Sequence, residues 1–534
     1  MNKGFLAMLV ISISSHFAMA AAQTPPDSLS KFYFKASAGY GLGINGTLVE
    51  NADKNGNVTN TFSKLGTGFG FSVAAGYQWL PHLGFEVGLG YFMGMQTNLL
   101  SSYDATETTN GSLFQMVPSI VFSTKLGRLQ PYLKTGLIMA LPEVYGEDIQ
   151  YDRSNPNQTI VTDSKFKYYN GLALGVHTAL GCNLPLMDNR FSLFAEVSLN
   201  DIGYVPDRIM IYAQTVNGVD DYSQMTTSDK EGIFRRTLSL NNSSNSDKPT
   251  DLSQTLIPFS SLAFNIGLKW NLGRLSLPIS DARKEDPFYV RLQVGYGFAG
   301  NGDIYYDNQE SAHDLQTTYF SGGTGLNIGL GVGYMLNENL GFDLGGNYAL
   351  GAPLKTQMGV TMPNANPLIF PNEPITSLNG DMLQLNPAVV FATHIQQFKP
   401  YARLGMLIGS GEINSVYDFT LPNQFGGHYN DAYKFYGGVS LGYNAVLGIA
   451  YPIHKNIDVY ADATFNNIYF SPTNGEIVST HTYPSAGTSR ETINFEYSYN
   501  NSAQQYNYGN GQTASPIVFS FNTIVASVGI RVWY

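Results

Sequence analysis

Cysteine and charge are both scarce in this sequence. Cys182 is the single cysteine among 534 residues, so no disulfide can form within the chain. Only 13% of the residues are charged, and the formal net charge is -11. A general basic surface for nucleic acid needs many clustered lysines and arginines. We therefore expect neither a disulfide scaffold nor a nucleic-acid partner.

Long apolar runs are missing from most of the chain. The N-terminus carries Lys3, an apolar stretch from Phe5 to Ile13 and the small residues Ala18-Met19-Ala20. This order is typical of a secretory signal peptide, which we place at residues 1–22. Beyond it, no apolar run reaches the roughly 18 residues that mark a membrane helix. An exported chain of this kind can still cross a membrane if its strands close into a barrel.

Glycine and aromatic residues are plentiful, with 56 Gly, 35 Tyr and 32 Phe. Aromatic residues favour strands, and glycine suits strands that pack closely. Alternation of apolar and small or polar residues predicts eight strands in the first half of the chain. They are Phe32–Leu42, Leu65–Trp79, Gly84–Gln96, Leu113–Thr124, Pro131–Tyr145, Lys165–Gly181, Arg190–Tyr204 and Leu256–Leu272.

The connections between these strands alternate in length. Cys182 to Asn189 is predicted to be a short turn, whereas Gly46 to Lys64 and Val205 to Thr255 are predicted to be long loops. Outer-membrane barrels have short periplasmic turns and long extracellular loops. The fold class expected is all-β, as a transmembrane antiparallel β-barrel.

The pattern restarts near residue 286, and short motifs recur in the same order. Phe32-Tyr33-Phe34-Lys35 is answered by Phe288-Tyr289-Val290-Arg291, and Pro131-Tyr132-Leu133-Lys134 by Pro400-Tyr401-Ala402-Arg403. Self-similarity in preserved order indicates a duplication. The chain is therefore divided into one unit at residues 31–272, a periplasmic linker at 273–285 and a second unit at 286–534.

Ionisable residues of matching sign recur on the face of each unit opposite the apolar one. In a barrel that face lines the lumen, where charges of both signs can pair. We expect a structural network of lumenal charges, because buried ion pairs commonly have no further role. Its members are Lys35, Glu86, Lys134, Glu196 and Lys269 in the first unit, and Arg291, Asp343, Arg403, Asp462 and Arg531 in the second.

Signals for catalysis, a metal or a cofactor are weak. Gly295-Tyr-Gly297-Phe-Ala-Gly300 fits a dinucleotide-binding pattern, but no helix follows to bind a pyrophosphate. His177 is the one histidine expected in a lumen, and no nucleophile or metal-ligand cluster accompanies it. We expect no enzyme activity, no cofactor and no metal site.

The last strand, Ser527 to Tyr534, alternates towards a terminal aromatic, and Asn265 to Leu272 repeats its spacing. With the Gly-Tyr-rich first strands, each unit resembles the eight-stranded outer-membrane barrel of the outer-membrane protein A and opacity-protein type. The resemblance implies a bacterial outer-membrane location and contact with lipid. It also implies that Ser527, Gly529, Val532 and Tyr534 form a signal for the barrel-assembly machinery.

Two architectures and several functions stay open from the sequence. Either each unit closes its own eight-stranded barrel, which we favour, or sixteen strands form one wide barrel. The first suits a non-enzymatic structural or surface protein whose loops at Val205–Thr255 and Ser471–Ser515 meet an extracellular ligand or host surface. The second suits a porin passing small solutes. A membrane-embedded hydrolase or acyltransferase is disfavoured, since the nucleophile and base are missing.

Overall fold

A computed structural model describes most of the chain after residue 30. The described ranges are 31–44, 47–52, 57–101, 104–155, 158–186, 190–239, 245–273, 287–300, 303–309, 314–357, 375–420, 427–483, 487–497, 500–502, 512–514 and 517–534. The predicted signal peptide and nearly all of the predicted linker lie outside these residues. Both assignments stay predictions.

The described residues of the first repeat form eighteen strands. In chain order they are β1 (Phe32–Gly43), β2 (Thr47–Ala52), β3 (Asn57–Ser63), β4 (Gly68–Leu80), β5 (Leu83–Gly94), β6 (Thr97–Ser101), β7 (Ala105–Ser123), β8 (Gln130–Asn155), β9 (Gln158–Tyr169), β10 (Ala173–Leu186), β11 (Phe191–Tyr204), β12 (Arg208–Val216), β13 (Val219–Asp220), β14 (Glu231–Arg235), β15 (Thr237–Ser239), β16 (Thr250–Ser253), β17 (Ile257–Pro258) and β18 (Ser261–Asn271).

Eight of these strands form the wall of the first barrel. The order around the barrel is β1-β4-β5-β7-β8-β10-β11-β18, and β18 pairs antiparallel with β1 to close it. Ala36 lies opposite Leu268 in this closing register. A short 3₁₀ turn (Tyr222–Gln224) and a one-turn helix, α1 (Thr227–Lys230), interrupt the strands of the long loop before β18.

The second repeat follows the same plan. Its strands are β19 (Phe288–Ala299), β20 (Asp303–Gln309), β21 (Asp314–Phe320), β22 (Gly325–Met335), β23 (Leu340–Gly351), β24 (Leu354–Gln357), β25 (Ile375–Ala392), β26 (Lys399–Thr420), β27 (His428–Tyr436), β28 (Ser440–His454), β29 (Ile457–Phe470), β30 (Asn474–Tyr483), β31 (Gly487–Tyr497), β32 (Asn500–Ser502), β33 (Gln512–Ala514), β34 (Phe519–Ser520) and β35 (Thr523–Trp533).

The second wall runs β19-β22-β23-β25-β26-β28-β29-β35, and β35 closes on β19 with Leu292 opposite Ile530. The chain therefore forms two closed eight-stranded antiparallel barrels in tandem. The predicted fold class is confirmed, and the sixteen-stranded alternative is wrong, because each first strand pairs with the last strand of its own repeat.

Alternation along the wall strands separates two environments. In β22, every second residue from Gly325 to Met335 is buried and the intervening ones are exposed. Large apolar side chains such as Phe71, Val73, Leu292 and Val294 lie on the outer face and are about half exposed. An apolar exterior of this kind is what a lipid bilayer requires of a barrel. No helix in the described ranges is long and apolar enough to cross a membrane.

Several local predictions are wrong. The segment from Lys165 to Gly181 is not one strand, because Asn170 and Gly171 adopt positive φ angles of 59° and 84° and separate β9 from β10. Strand β10 instead continues to Leu186, so Cys182 lies within a strand rather than at a turn. The predicted loop at Gly46 to Lys64 contains β2 and β3.

Strands also extend beyond the wall at the long-loop end of each barrel. β8 is 26 residues long, and its C-terminal half pairs with β9. β9 in turn pairs with β12. β26 is 22 residues long and pairs with β27 in the same way. Much of the sequence predicted as long loops is therefore ordered sheet above the barrels, at the end expected to face the cell exterior.

Candidate functional site: the barrel interiors

The first lumen contains a buried layer of ion pairs. The Glu86 carboxylate receives Lys35 Nζ at 2.9 Å and Lys134 Nζ at 3.2 Å. Lys134 also reaches Glu196 at 3.4 Å. Two tyrosines complete the layer, since Tyr33 donates to Glu86 at 3.1 Å and Tyr132 donates to Glu196 at 2.8 Å. Each carboxylate thus has both a cation and a phenol as partners.

The second lumen repeats this layer with arginine and aspartate. Arg291 binds Asp343 through two nitrogens, with Nη2–Oδ1 at 2.7 Å and Nε–Oδ2 at 3.0 Å. Arg403 Nη2 lies 2.8 Å from Asp462 and its Nη1 lies 3.7 Å from Asp343.

Tyr289 and Tyr401 each donate to one of these carboxylates at 2.8 Å. The planar guanidinium fork matches a carboxylate better than an ammonium does, so this layer has the tighter geometry.

A third cation in each lumen is held differently. Lys269 lies directly across the closing seam from Lys35, and Arg531 lies across from Arg291. Among the described residues neither Lys269 nor Arg531 pairs with a carboxylate. Lys269 Nζ sits 4.0 Å from the centre of the Tyr33 ring, and the Arg531 guanidinium lies 4.8 Å from that of Tyr289. Aromatic faces attract cations, which offsets the repulsion between like charges across the seam.

All ten of the predicted lumenal residues therefore point inward, and each is less than 10% exposed. Eight of them form carboxylate–cation contacts and two rest on aromatic rings. Whether the layer contributes net stability is a separate matter, because the cost of desolvating buried charges can exceed their attraction. That contribution stays a prediction.

Glycines provide the room for the tyrosines. A Cβ placed at Gly76 would overlap the ring of Tyr33, and one at Gly333 would overlap the ring of Tyr289. The rings of Tyr132 and Tyr401 lie against Gly181 and Gly448 in the same way. In both repeats a large side chain thus fills the lumen opposite a residue without one, as side-chain packing in a narrow barrel requires.

Sequence reasoning missed a second charged layer, which lies nearer the short-turn end of the second barrel. Trp533 Nε1 donates to Asp458 Oδ2 at 2.7 Å, and Lys399 Nζ lies 3.1 Å from Asp458 Oδ1. The corresponding positions of the first repeat hold the uncharged residues Asn271, Ser192 and Gln130. Comparison of the two repeats in sequence therefore did not indicate a charged layer at these positions.

A polar layer follows the ion pairs in the first barrel. His177 Nδ1 lies 2.7 Å from Asn200 Oδ1, and Asn200 donates to Ser261 at 3.2 Å. A cavity of about 100 Å³ is lined by Ser37, Gln115 and His177, among others. It is large enough for a few water molecules.

An apolar cluster, called the plug below, lies inside each barrel at the long-loop end, and the sequence analysis did not anticipate it. Inward-facing residues of the wall meet a phenylalanine from the loop before the last strand, Phe259 in one repeat and Phe521 in the other. The wall residues of the first plug include Leu113, Ile138, Val144, Ile202 and Tyr204. Those of the second include Met382, Leu407, Ile413, Ile468 and Phe470.

The signal available in the sequence was weak. Ile138 and Val144 of β8 correspond to Leu407 and Ile413 of β26, when the strands are aligned on Lys134 and Arg403. Alternation places these residues on the lumenal face, but their apolar character conflicts with a water-filled lumen. Inward apolar residues at matching positions in both repeats could have indicated the plug.

The closing strand carries the residues predicted as an assembly signal. Ser527 and Gly529 face the lumen, and Gly529 leaves space for the ring of Tyr460. Tyr534 is exposed, and its backbone N–H donates to Phe288 at 2.8 Å.

Residues 272–500 match the family model described as the outer membrane protein beta-barrel domain. The matched residues cover most of the second repeat. The first repeat has the same order of wall strands and the same lumenal pattern, so the chain is a doubled outer-membrane β-barrel. This family is found in the bacterial outer membrane, which is where we place the chain. A search of curated proteins gives no significant match.

Solved structures also resemble the chain. Neisserial surface protein A is 12% identical over 46% of this chain and 97% of its own, with a TM-score of 0.21. The outer membrane protein OprG from Pseudomonas aeruginosa is 13% identical over 47% and 98%, with a TM-score of 0.23. The outer membrane protease OmpT from Escherichia coli is 7% identical over 94% and 97%, with a TM-score of 0.17. Likenesses this distant have no bearing on activity.

Proposed function

We propose that the protein is a non-enzymatic component of the outer membrane, whose barrels are closed anchors for an ordered extracellular surface. The observation that carries this proposal is that ion pairs and an apolar plug both occupy each lumen. A network of ion pairs crosses the interior, and an apolar plug lies between it and the long-loop end. Eight-stranded barrels have room for side chains and little else.

The extent of sheet above the wall supports the same proposal. Strands β9, β12, β14 and β16 continue the sheet of the first barrel, and β27, β30, β31 and β33 continue that of the second. Long ordered extensions give a stable surface for contact with an extracellular ligand or a host. The partners that follow are outer-membrane lipid, the barrel-assembly machinery at the closing strand, and a ligand on these extensions.

Conductance across a planar lipid bilayer tests the closed-anchor proposal. A sixteen-stranded porin measured in parallel serves as the control and sets the protein level at which steady channels appear. At that level we expect the full chain to leave the bilayer resistance unchanged. The layers of charge and apolar side chains would block ions even where water enters from one end. Steady channels of uniform size from the wild-type chain would contradict the proposal and favour a porin.

A further inference from the structure

The two barrels touch through a face that is the same in both repeats. An apolar cluster between them has six buried members, three from each repeat: Leu83, Phe122, Leu133, Leu340, Phe391 and Ala402. These six form three equivalent pairs. Alignment on the lumenal charges matches Leu83 with Leu340 and Leu133 with Ala402. Phe122 and Phe391 form the third pair, because they lie opposite Leu83 and Leu340 in the sheet register.

All six side chains point outward from their own barrel, where lipid would otherwise surround them. Leu133 is 0% exposed, whereas Leu137, on the same strand and the same outer face, is 62% exposed. In the second barrel, Phe391 is 1% exposed, whereas Leu383, on the same strand and the same outer face, is 60% exposed. The burial is therefore confined to one side of each barrel, and the opposite barrel covers it.

The short-turn end continues this contact. His82 lies in the turn between β4 and β5, and Glu338 lies in the equivalent turn of the second repeat. Burial lowers the pKa of His82, and the nearby Glu338 carboxylate acts in the opposite direction. Equivalent turns of the two repeats therefore lie side by side.

Polar residues mark the long-loop end of the same face. Asp201 and Asn467 occupy equivalent outward positions on β11 and β29, and each is 1% exposed. The Ser260 hydroxyl donates to Asp201 at 2.5 Å, and the Asp201 carboxylate interacts electrostatically with Tyr443 of the second barrel. Charged side chains facing lipid are destabilising, so an outward aspartate is explained by the barrel that covers it.

Above the walls, the repeats exchange strands reciprocally. The hairpin β2–β3 from the first loop of repeat one pairs with β32 from the last loop of repeat two. The hairpin β20–β21 from the first loop of repeat two pairs with β15 from the last loop of repeat one. Each sheet is the counterpart of the other under exchange of the repeats.

We infer that the chain is a fused dimer with pseudo-two-fold symmetry, in which one self-complementary wall face of each repeat binds the same face of the other. In a two-fold interface each patch meets its own equivalent, which is the pattern of the three buried pairs, the adjacent turns and the reciprocal sheets. This goes beyond the proposed function, because two closed barrels could equally well be separate in the membrane. The two barrels then present one composite extracellular surface.

Cleavage of the linker in the folded, membrane-embedded chain tests this inference. A protease site is inserted between residues 273 and 285, the protein is cut after insertion, and a tag on the second repeat is used for purification in mild detergent. The first repeat is expected to co-purify. Its loss into the flow-through would overturn the inference.

A variant with added bulk at the contact face, called the wedge, distinguishes loss of association between the barrels from loss of folding. The double variant Leu133→Trp with Ala402→Trp adds bulk where the two walls meet, and is expected to abolish co-purification after cleavage. The control Leu137→Trp with Met406→Trp places two tryptophans on the lipid-facing side of the same two strands and is expected to leave co-purification intact. Both should keep the heat-dependent gel mobility of folded barrels. A wedge that leaves co-purification intact would contradict the inference.

Paired cysteines test the reciprocity in the uncut chain. In a Cys182→Ser background, Val58→Cys with Asn501→Cys and Leu238→Cys with Leu315→Cys replace directly opposed positions of the two exchanged sheets. Opposed residues in antiparallel strands lie within the distance that a disulfide spans. Both pairs are expected to crosslink. Formation of only one crosslink, or of neither, would overturn the two-fold relation.

Discussion

Replacing Glu86 with glutamine is expected to lower the free energy of unfolding by about 3–5 kcal/mol, the usual cost of removing one partner from a buried ion pair. Glutamine keeps the size and shape of the side chain but removes its charge. Within the part of the chain that the structure describes, Lys35 loses its one carboxylate contact, and Lys134 retains only the longer one to Glu196. Both ammonium groups then remain buried in the lumen.

Urea unfolding of the protein in lipid vesicles, followed by tryptophan fluorescence, measures this effect. The matched control is Glu147→Gln, which removes an equal charge from the exposed pair with Lys165 above the wall. It is expected to leave the unfolding midpoint unchanged, because exposed pairs contribute little. Equal midpoints for Glu86→Gln and the wild-type chain would contradict the buried pairing described for Glu86.

Replacing Gly76 with alanine is expected to destabilise the first barrel by about 1–3 kcal/mol or more, as overpacking does in a filled interior. The new methyl group would overlap the ring of Tyr33. That ring cannot simply move aside, because its hydroxyl donates to Glu86 and its face supports Lys269. Displacing the ring would disturb two of the lumenal charges at once.

The control for Gly76→Ala is Gly88→Ala, which also adds a methyl group to the lumen. The nearest atom to a Cβ at Gly88 is 3.8 Å away, an ordinary contact. Alanine there is expected to raise stability slightly, because it restricts the unfolded chain. The two variants should therefore shift the urea midpoint in opposite directions. A shift of the same sign and size in both would contradict the packing described for Tyr33.

Strand alternation and the internal repeat were enough to predict the barrels and their lumenal charges. Alternation fixes the face on which a residue lies, so Glu86 and Lys134 could be assigned to the lumen before their distance was known. The pairing of closing strands could not be fixed in this way, because β1 could pair with either β18 or β35 without any change in alternation.

Other features depended on contacts that have no local pattern. The break between β9 and β10 rests on the backbone angles of Asn170 and Gly171, within a segment whose alternation continues on both sides. The contact of Trp533 with Asp458 joins residues 75 positions apart and occurs in one repeat only. The buried wall face is also indistinguishable in sequence from the lipid-facing wall, because Leu133 and Leu137 are the same residue type with opposite exposure.

Disulfide trapping across the two seams tests the two-barrel architecture most directly. In a Cys182→Ser background, Ala38→Cys with Ile266→Cys bridges the seam of the first barrel, and Val294→Cys with Val528→Cys bridges that of the second. Both pairs are expected to crosslink within folded chains in the membrane, and Ala38→Cys with Val528→Cys is expected to stay reduced. A crosslink between positions 38 and 528, with neither of the other two, would instead show that all sixteen wall strands close one barrel.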